Sequence, residues 1–311
     1  MPRPTLVLAH ILPPAVMARA ELAFTLRMPG QLRLRDWLPT ATPGADAILC
    51  VPGFRFDGAV IGALPPGIRA IGTFSVGTDH IDLDAARARN IAVVNTPGVL
   101  NQATAEFTMA LILAAARRIG ESERLVRSGG WRGWTPGDFL GTDVSGKCLG
   151  IFGMGRIGQT LARIAHHGFG MPIHYRNRSR LPPELEAGAV FHEDDASFLA
   201  ASQILCLLAP AGPETALWLN AGRLSLLPAG AIVVNTARGT LVDDAALAAA
   251  LTTRRVAAAA LDVFPREPDV PEVYLSLENV VLTPHIATAT AETRDAMGFA
   301  VLDGLERALR E

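Results

Sequence analysis

The sequence predicts an α/β protein of two doubly wound parallel-sheet domains, one inserted in the chain of the other. Three observations predict it. Short apolar runs bounded by turn residues alternate with helical stretches along the 311 residues, as expected for strands buried on both faces. The alternation is set up once before residue 98 and again after a glycine loop in mid-chain. The last helix has no sheet of its own in sequence and is expected to return to the first domain. A chain of this length is also long for a single core, so two domains are the natural prior.

Thr5–Ala9, Ala47–Val51, Ile68–Gly72 and Ile91–Val94 read as the first set of buried strands, with a helix over Asp82–Arg89. Asn95-Thr96-Pro97-Gly98 ends that unit. A long amphipathic helix follows from Asn101 to Ile119, with Asn101 as its cap and Glu106 in its first turns. After the glycine loop the strands are Ile173–Tyr175, Ile204–Leu208, Ala231–Asn235, Ala257–Leu261 and Val280–Leu282, separated by Ala-rich helices such as Asp243–Leu251. Thr283-Pro284 breaks the pattern, and Thr290 to Arg310 reads as the closing helix.

The glycine loop carries the first chemical message. Leu149-Gly150-Ile151-Phe152 runs into Gly153-Met154-Gly155-Arg156-Ile157-Gly158 and then into a helix. Strand, G-x-G-x-x-G and helix open a dinucleotide-binding unit. Gly153 makes the tight turn, Gly155 admits the pyrophosphate, Gly158 lets helix and strand pack, and the helix N-terminus offers unpaired N–H groups. An NAD site usually carries an acid about 20 residues further on, for the ribose hydroxyls. Here the strand ends in Arg176-Asn177-Arg178-Ser179-Arg180. Arginine grips a 2′-phosphate with a charged fork and an acid repels it, so NADP(H) is expected over NAD(H).

Composition excludes more than it assigns. Half of the residues are hydrophobic, 19% are charged and the net charge is −2, which suits a buried α/β enzyme. There is no electrostatic case for nucleic acid or membrane surfaces. Cys50, Cys148 and Cys206 are odd in number and far apart, fitting neither a disulfide framework nor a zinc site. No metal is expected, and a reducing compartment is the default. The run Thr5–Leu12 is short and stops at Pro13-Pro14, so it reads as a strand rather than a signal peptide. No apolar stretch of about 20 residues suggests a membrane span. A cytoplasmic protein is expected.

Three titratable or charged residues fall at or just beyond strand ends in the second half. Ile232–Ala237 delivers Arg238, Ala259–Phe264 leads to Glu267, and Val280–Pro284 delivers His285. Each alone has a bland reading, as a surface cation, a loop carboxylate and a buried histidine. Together, beside a dinucleotide loop, they form a candidate constellation.

These segments resemble the D-isomer-specific 2-hydroxyacid dehydrogenases, most closely their glyoxylate/hydroxypyruvate reductase branch. The resemblance also rests on Val76-Gly77-Thr78-Asp79-His80-Ile81-Asp82, Asn95-Thr96-Pro97-Gly98, Leu261-Asp262-Val263-Phe264 with Glu267-Pro268, and Thr283-Pro284-His285-Ile286-Ala287, in family order. The basic segment after Tyr175 departs from the NAD-type pattern and resembles the NADP-using members. The resemblance implies a Rossmann dinucleotide-binding domain, 99–284, inserted in a flavodoxin-like substrate domain, 1–98 and 285–311.

It also implies roles. Arg238 would bind the substrate carboxylate and polarise the C2 carbonyl, and the N–H groups of Val76 and Gly77 would hold the other carboxylate oxygen. His285 would protonate the carbonyl oxygen, with Glu267 orienting its ring and favouring the imidazolium. Phe54 would help shape the substrate pocket. Gly153, Gly155, Arg156, Ile157 and Gly158 would hold the pyrophosphate, and Arg176, Arg178 and Ser179 the ribose end. Thr104, Leu208, Ala209 and Pro210 would line the cofactor cleft, with Thr236, Ala237, Asp262 and Ala287 toward the nicotinamide. Trp131-Arg132-Gly133-Trp134 would belong to the arm of a homodimer. The expected activity is NADPH-dependent reduction of small 2-ketoacids. The alternatives are a reductase of a larger 2-ketoacid and a non-catalytic, nucleotide-sensing corepressor-like protein.

Overall fold

In a computed structural model, residues 3–28, 38 and 41–310 are described. The chain divides into two compact units, one of Met1–Leu100 with Ala289–Glu311, the other of Asn101–Thr288.

The smaller unit is a five-stranded parallel sheet. Its strands are β1 (Thr5–Leu8), β2 (Thr25–Arg27), β3 (Ala47–Cys50), β4 (Ala70–Thr73) and β5 (Ala92–Val94), in the order β2-β1-β3-β4-β5. This is the flavodoxin-like order. β3 and β4 are buried on both faces, which accounts for their unbroken apolar runs. The closing helix, Ala291–Arg310, packs on β4, because Gly72 has no side chain. A Cβ there would lie 2.9 Å from both Val301 and Leu305.

The larger unit is a seven-stranded parallel sheet. It comprises β6 (Leu149–Phe152), β7 (Ile173–Arg176), β8 (Val190–Phe191), β9 (Ile204–Leu207), β10 (Ala231–Asn235), β11 (Val256–Leu261) and β12 (Val280–Leu282). Their order is β12-β11-β10-β9-β6-β7-β8, so the winding reverses between β6 and β9. That reversal is the topological switch point of a Rossmann sheet. Alternate strand residues feed two separate cores: Leu205, Val233 and Ala259 belong to one, and Cys206, Val234 and Ala260 to the other. Helices cover both faces, as the uninterrupted hydrophobic strands require.

Three details differ from the sequence reading. The short edge strands β2 and β8 are absent from it, because runs of three and two residues give no periodicity. The long helix stops at Ala116 rather than Ile119, with Arg118 left-handed at φ 52° and a second helix over Ile119–Arg127. The second crossover falls at Thr288/Ala289 rather than 284/285. The Asp262 carboxylate, which receives the N–H groups of Ile286 and Ala287 at 2.9 Å, keeps that segment with the larger unit.

Candidate active site

Each chemical residue of the larger unit is delivered by a strand end. Beyond β10, Asn235 is buried and turns the chain. Its Oδ1 accepts from Ala237 N–H at 3.0 Å, and its Nδ2 donates to Arg238 C=O at 2.8 Å. This turn presents the Arg238 side chain, whose Nη1 also donates to Ala237 C=O at 2.7 Å. Gly239 then passes against the chain after β11, where a Cβ would sit 2.1 Å from the Phe264 carbonyl carbon. No other residue fits this crossing, and it brings the Arg238 loop beside the Glu267 loop.

His285 follows β12 with a left-handed backbone at φ 55°. That conformation is uncommon outside glycine, so neighbouring bonds must hold it. Its N–H donates to Asp262 C=O at 2.8 Å, and the Asp262 carboxylate fastens the residues on both sides, through Thr283 Oγ1 at 2.7 Å and the N–H groups of Ile286 and Ala287. Asp262 is wholly buried, and burial pushes its carboxyl up against the pull of those three hydrogen bonds. It serves as the post to which the His285 loop is tied.

The imidazole of His285 meets Glu267 through Nδ1, 2.7 Å from Oε2. The other carboxylate oxygen accepts the Phe264 N–H at 3.0 Å. Burial raises the Glu267 carboxyl, but the His285 and Phe264 hydrogen bonds and the nearby charges of His285 and Arg238 outweigh it and hold it below the usual range. With Nδ1 committed to the carboxylate, Nε2 has no hydrogen-bond partner among the described residues. A histidine oriented by a carboxylate beside an arginine can move a proton at Nε2 while a fixed positive charge stabilises a developing alkoxide.

The glycine loop passes a direct test for a dinucleotide. A Cβ on Gly153, which has φ 96°, would lie 2.3 Å from Ala209 N, so the turn packs against the end of β9 at the switch point. A Cβ on Gly158 would lie 2.9 Å from Gly153 C=O, which makes helix Arg156–Phe169 ride close on β6. Around Gly155 there is nothing within 4 Å of the Cβ position, leaving open space at the N-terminus of a helix with no side-chain cap. Unpaired N–H groups and open space fit a pyrophosphate. Asn177 steadies the loop by accepting the Met154 N–H at 2.7 Å.

At the ribose turn the structure separates the basic residues. Arg176 is half-buried, with Nε 3.4 Å from Asp195, and Asp195 also receives Arg223 Nε at 2.7 Å. Arg180 forks onto Glu186 at 2.8 and 3.0 Å. Arg178 and Ser179 are exposed. At this turn, then, a carboxylate already engages Arg176, and Arg178 is the more exposed cation.

Residues 109–287 match the model of the D-isomer specific 2-hydroxyacid dehydrogenase NAD-binding domain. The chain is 41% identical over 308 residues to the glycerate dehydrogenase of Hyphomicrobium methylovorum, covering 97% of this chain and 95% of that protein. The chain belongs to the D-isomer specific 2-hydroxyacid dehydrogenase family. Among solved structures, a glyoxylate reductase from Paecilomyes thermophila superposes with TM-score 0.90 at 35% identity, over 100% of this chain and 97% of the other. The NADPH-dependent glyoxylate/hydroxypyruvate reductase of Sinorhizobium meliloti, in complex with NADP and malonate, gives TM-score 0.83 at 31% identity, over 97% and 92%. The chain is thus a 2-hydroxyacid dehydrogenase of the glyoxylate/hydroxypyruvate reductase branch, and its cofactor is a nicotinamide dinucleotide.

For a 2-hydroxyacid dehydrogenase, the larger unit brings Arg238, Glu267, His285 and Asp262 together around adjacent strand ends. Thr104 and Thr236 are buried nearby in the same unit, where Thr108 bridges them: its Oγ1 donates to Thr104 C=O at 2.7 Å and lies 2.8 Å from Thr236 Oγ1. Leu208, Ala209 and Pro210 follow β9 beside Gly153. In the smaller unit Val76 and Gly77 follow β4, and Phe54 lies after β3 with its ring 5.3 Å from that of His10. The sequence reading missed Asn177, Asn235 and Asp195. Asn235 had a signal, a buried strand ending in Asn-x-x-Arg, whereas Asn177 and Asp195 act across folded distances that no spacing reveals.

Proposed function

We propose that this dehydrogenase reduces small 2-ketoacids, such as glyoxylate and hydroxypyruvate, with NADPH, and that His285 is the proton donor. The observation that carries the reading is the His285–Glu267 contact of 2.7 Å at Nδ1, which leaves Nε2 for the substrate oxygen. Arg238 binds the carboxylate and polarises the carbonyl, while the N–H groups of Val76 and Gly77 take the second carboxylate oxygen. When bound, the reduced nicotinamide supplies the hydride. As the ketoacid carbonyl is reduced, Nε2–H of His285 would protonate its oxygen, giving the 2-hydroxyacid. Glu267 keeps the ring oriented and balances its charge.

NADPH rather than NADH is supported by Arg178 and Ser179, exposed at the end of β7, with Arg176 adding charge from its place against Asp195. No acid of the NAD type stands at that strand end. The Sinorhizobium reductase binds NADP, in keeping with this reading. A homodimer is also proposed, because Trp131, Trp134 and Leu140 are 57%, 75% and 69% exposed, a large apolar surface for a lone chain. We further read the protein as cytoplasmic. Among the described residues no helix is long and apolar enough to cross a membrane.

The test is oxidation of NADPH by the purified protein with glyoxylate and hydroxypyruvate, followed for wild type and His285→Ala. The wild type turns over, and the variant binds NADPH with unchanged affinity while its kcat falls by roughly 10²–10⁴-fold, the usual worth of general acid catalysis. Near-normal turnover in His285→Ala removes the histidine from its role.

A further inference from the structure

The chain leaving β4, Phe74-Ser75-Val76-Gly77, runs beside the chain leaving β5, Asn95-Thr96, and three successive carbonyls of the first are claimed. Ser75 C=O accepts from Thr96 N–H at 2.9 Å. Val76 C=O accepts from Asn95 Nδ2 at 2.8 Å. Gly77 C=O accepts from Ser75 Oγ at 2.7 Å. In a trans peptide plane the C=O and the following N–H point in opposite directions. Pinning the Ser75 and Val76 carbonyls therefore aims the N–H groups of Val76 and Gly77 away from Asn95 and Thr96. Neither N–H donates to any partner among the described residues.

A buried relay stiffens the same loop. Because the Ser75 hydroxyl donates to Gly77 C=O, its oxygen must accept from Thr73 Oγ1, 2.9 Å away. Thr73 Oγ1 in turn must accept from His80 Nε2, also at 2.9 Å, which assigns the proton of that ring to Nε2. Thr73, Ser75 and His80 are all buried, so the relay is shielded from competing water.

We propose that Asn95 is a positioning residue for the reductase: by holding Val76 C=O it orients the Gly77 N–H toward a substrate carboxylate. This rests on the reading of Val76 and Gly77 as carboxylate donors. Asn95 touches neither substrate nor cofactor in this assignment. It sets the plane of the peptide that does. The requirement is chemical and narrow, since the side chain at 95 must donate a hydrogen bond to a carbonyl and must not accept one.

The experiment compares wild type, Asn95→Ala and Asn95→Asp. The alanine removes the donor, and the aspartate keeps the shape while replacing donor by acceptor, so it also serves if the alanine variant folds poorly. KM for glyoxylate and hydroxypyruvate, kcat, the dissociation constant of oxamate (an unreactive 2-ketoacid mimic) in the presence of NADP, and that of NADPH alone are measured by steady-state kinetics and calorimetry. Losing one oriented charged hydrogen bond raises KM and the oxamate constant on the order of tenfold in Asn95→Ala. Asn95→Asp raises both further, while kcat changes less and NADPH affinity stays as in wild type. Unchanged oxamate affinity and KM in both variants overturn the proposal, as does a matching loss of NADPH affinity, which marks general damage. A wild-type protein that reduces neither ketoacid and fails to bind oxamate overturns the underlying functional reading instead.

Discussion

His285 and Glu267 show how two side chains become one hydrogen-bonded unit. The carboxyl of Glu267 is held below the ordinary carboxylate range despite its burial, by hydrogen bonds from His285 and Phe264 and the charges of His285 and Arg238. A carboxyl depressed in the folded state contributes stability that is fully present above its unfolded value and is lost as the pH falls through the folded value. Glu267→Gln is therefore less stable than wild type near neutral pH, and the gap in Tm closes as the pH drops below the ordinary glutamate range. A gap that persists unchanged through that acid range shows that another group stabilises the pair. These two residues were legible in the sequence because each follows a buried strand end beside a glycine loop. Asn95 and Asp195 were not, since an amide that holds a neighbouring strand's carbonyl, or an acid that meets an arginine, leaves no local pattern. The basic turn after β7 was half legible: sequence supplied the arginines, and only the fold showed Asp195 engaging Arg176.

Strands β10 and β12 have the residue ranges that the apolar runs suggest, because each is bounded by turn-forming residues and buried against the sheet. The reading failed where an element is too short for a period, as in β8, or where a tertiary contact cuts a helix. Thr142 N–H donates to Ala116 C=O at 2.9 Å, taking up a carbonyl at the end of the long helix, and Arg118 forks onto Glu121 at 2.8 and 2.6 Å to begin the next. Helix Arg156–Phe169 and β6 offer the sharpest element-level test. Gly158→Ala places a methyl 2.9 Å from Gly153 C=O, a backbone atom that cannot swing aside. Overpacking of this kind costs about 1–3 kcal/mol. The variant loses stability by that amount in urea unfolding, and its NADPH affinity falls because the loop shifts. Wild-type stability together with wild-type NADPH affinity contradicts the close helix–strand contact.

Every strand pair in both sheets is parallel, so each connection must cross over, and the alternation along the chain was enough to expect two doubly wound units. The second crossover was harder to place, because the tie from Asp262 to Ile286 and Ala287 is invisible until β11 and β12 lie side by side. Assembly is tested by light scattering at micromolar concentration: a dimer is expected, and replacing both Trp131 and Trp134 by Ser weakens it. A monomeric wild type contradicts the dimer. The most direct test of the central claim is a comparison of kcat/KM for NADPH and NADH in the reduction of glyoxylate and hydroxypyruvate by the wild-type protein. Charged hydrogen bonds to a 2′-phosphate are worth roughly 1.5–3 kcal/mol each, so NADPH is favoured on the order of 10²-fold or more, mostly through KM. Equal use of the two cofactors, or no reduction of either ketoacid, contradicts it.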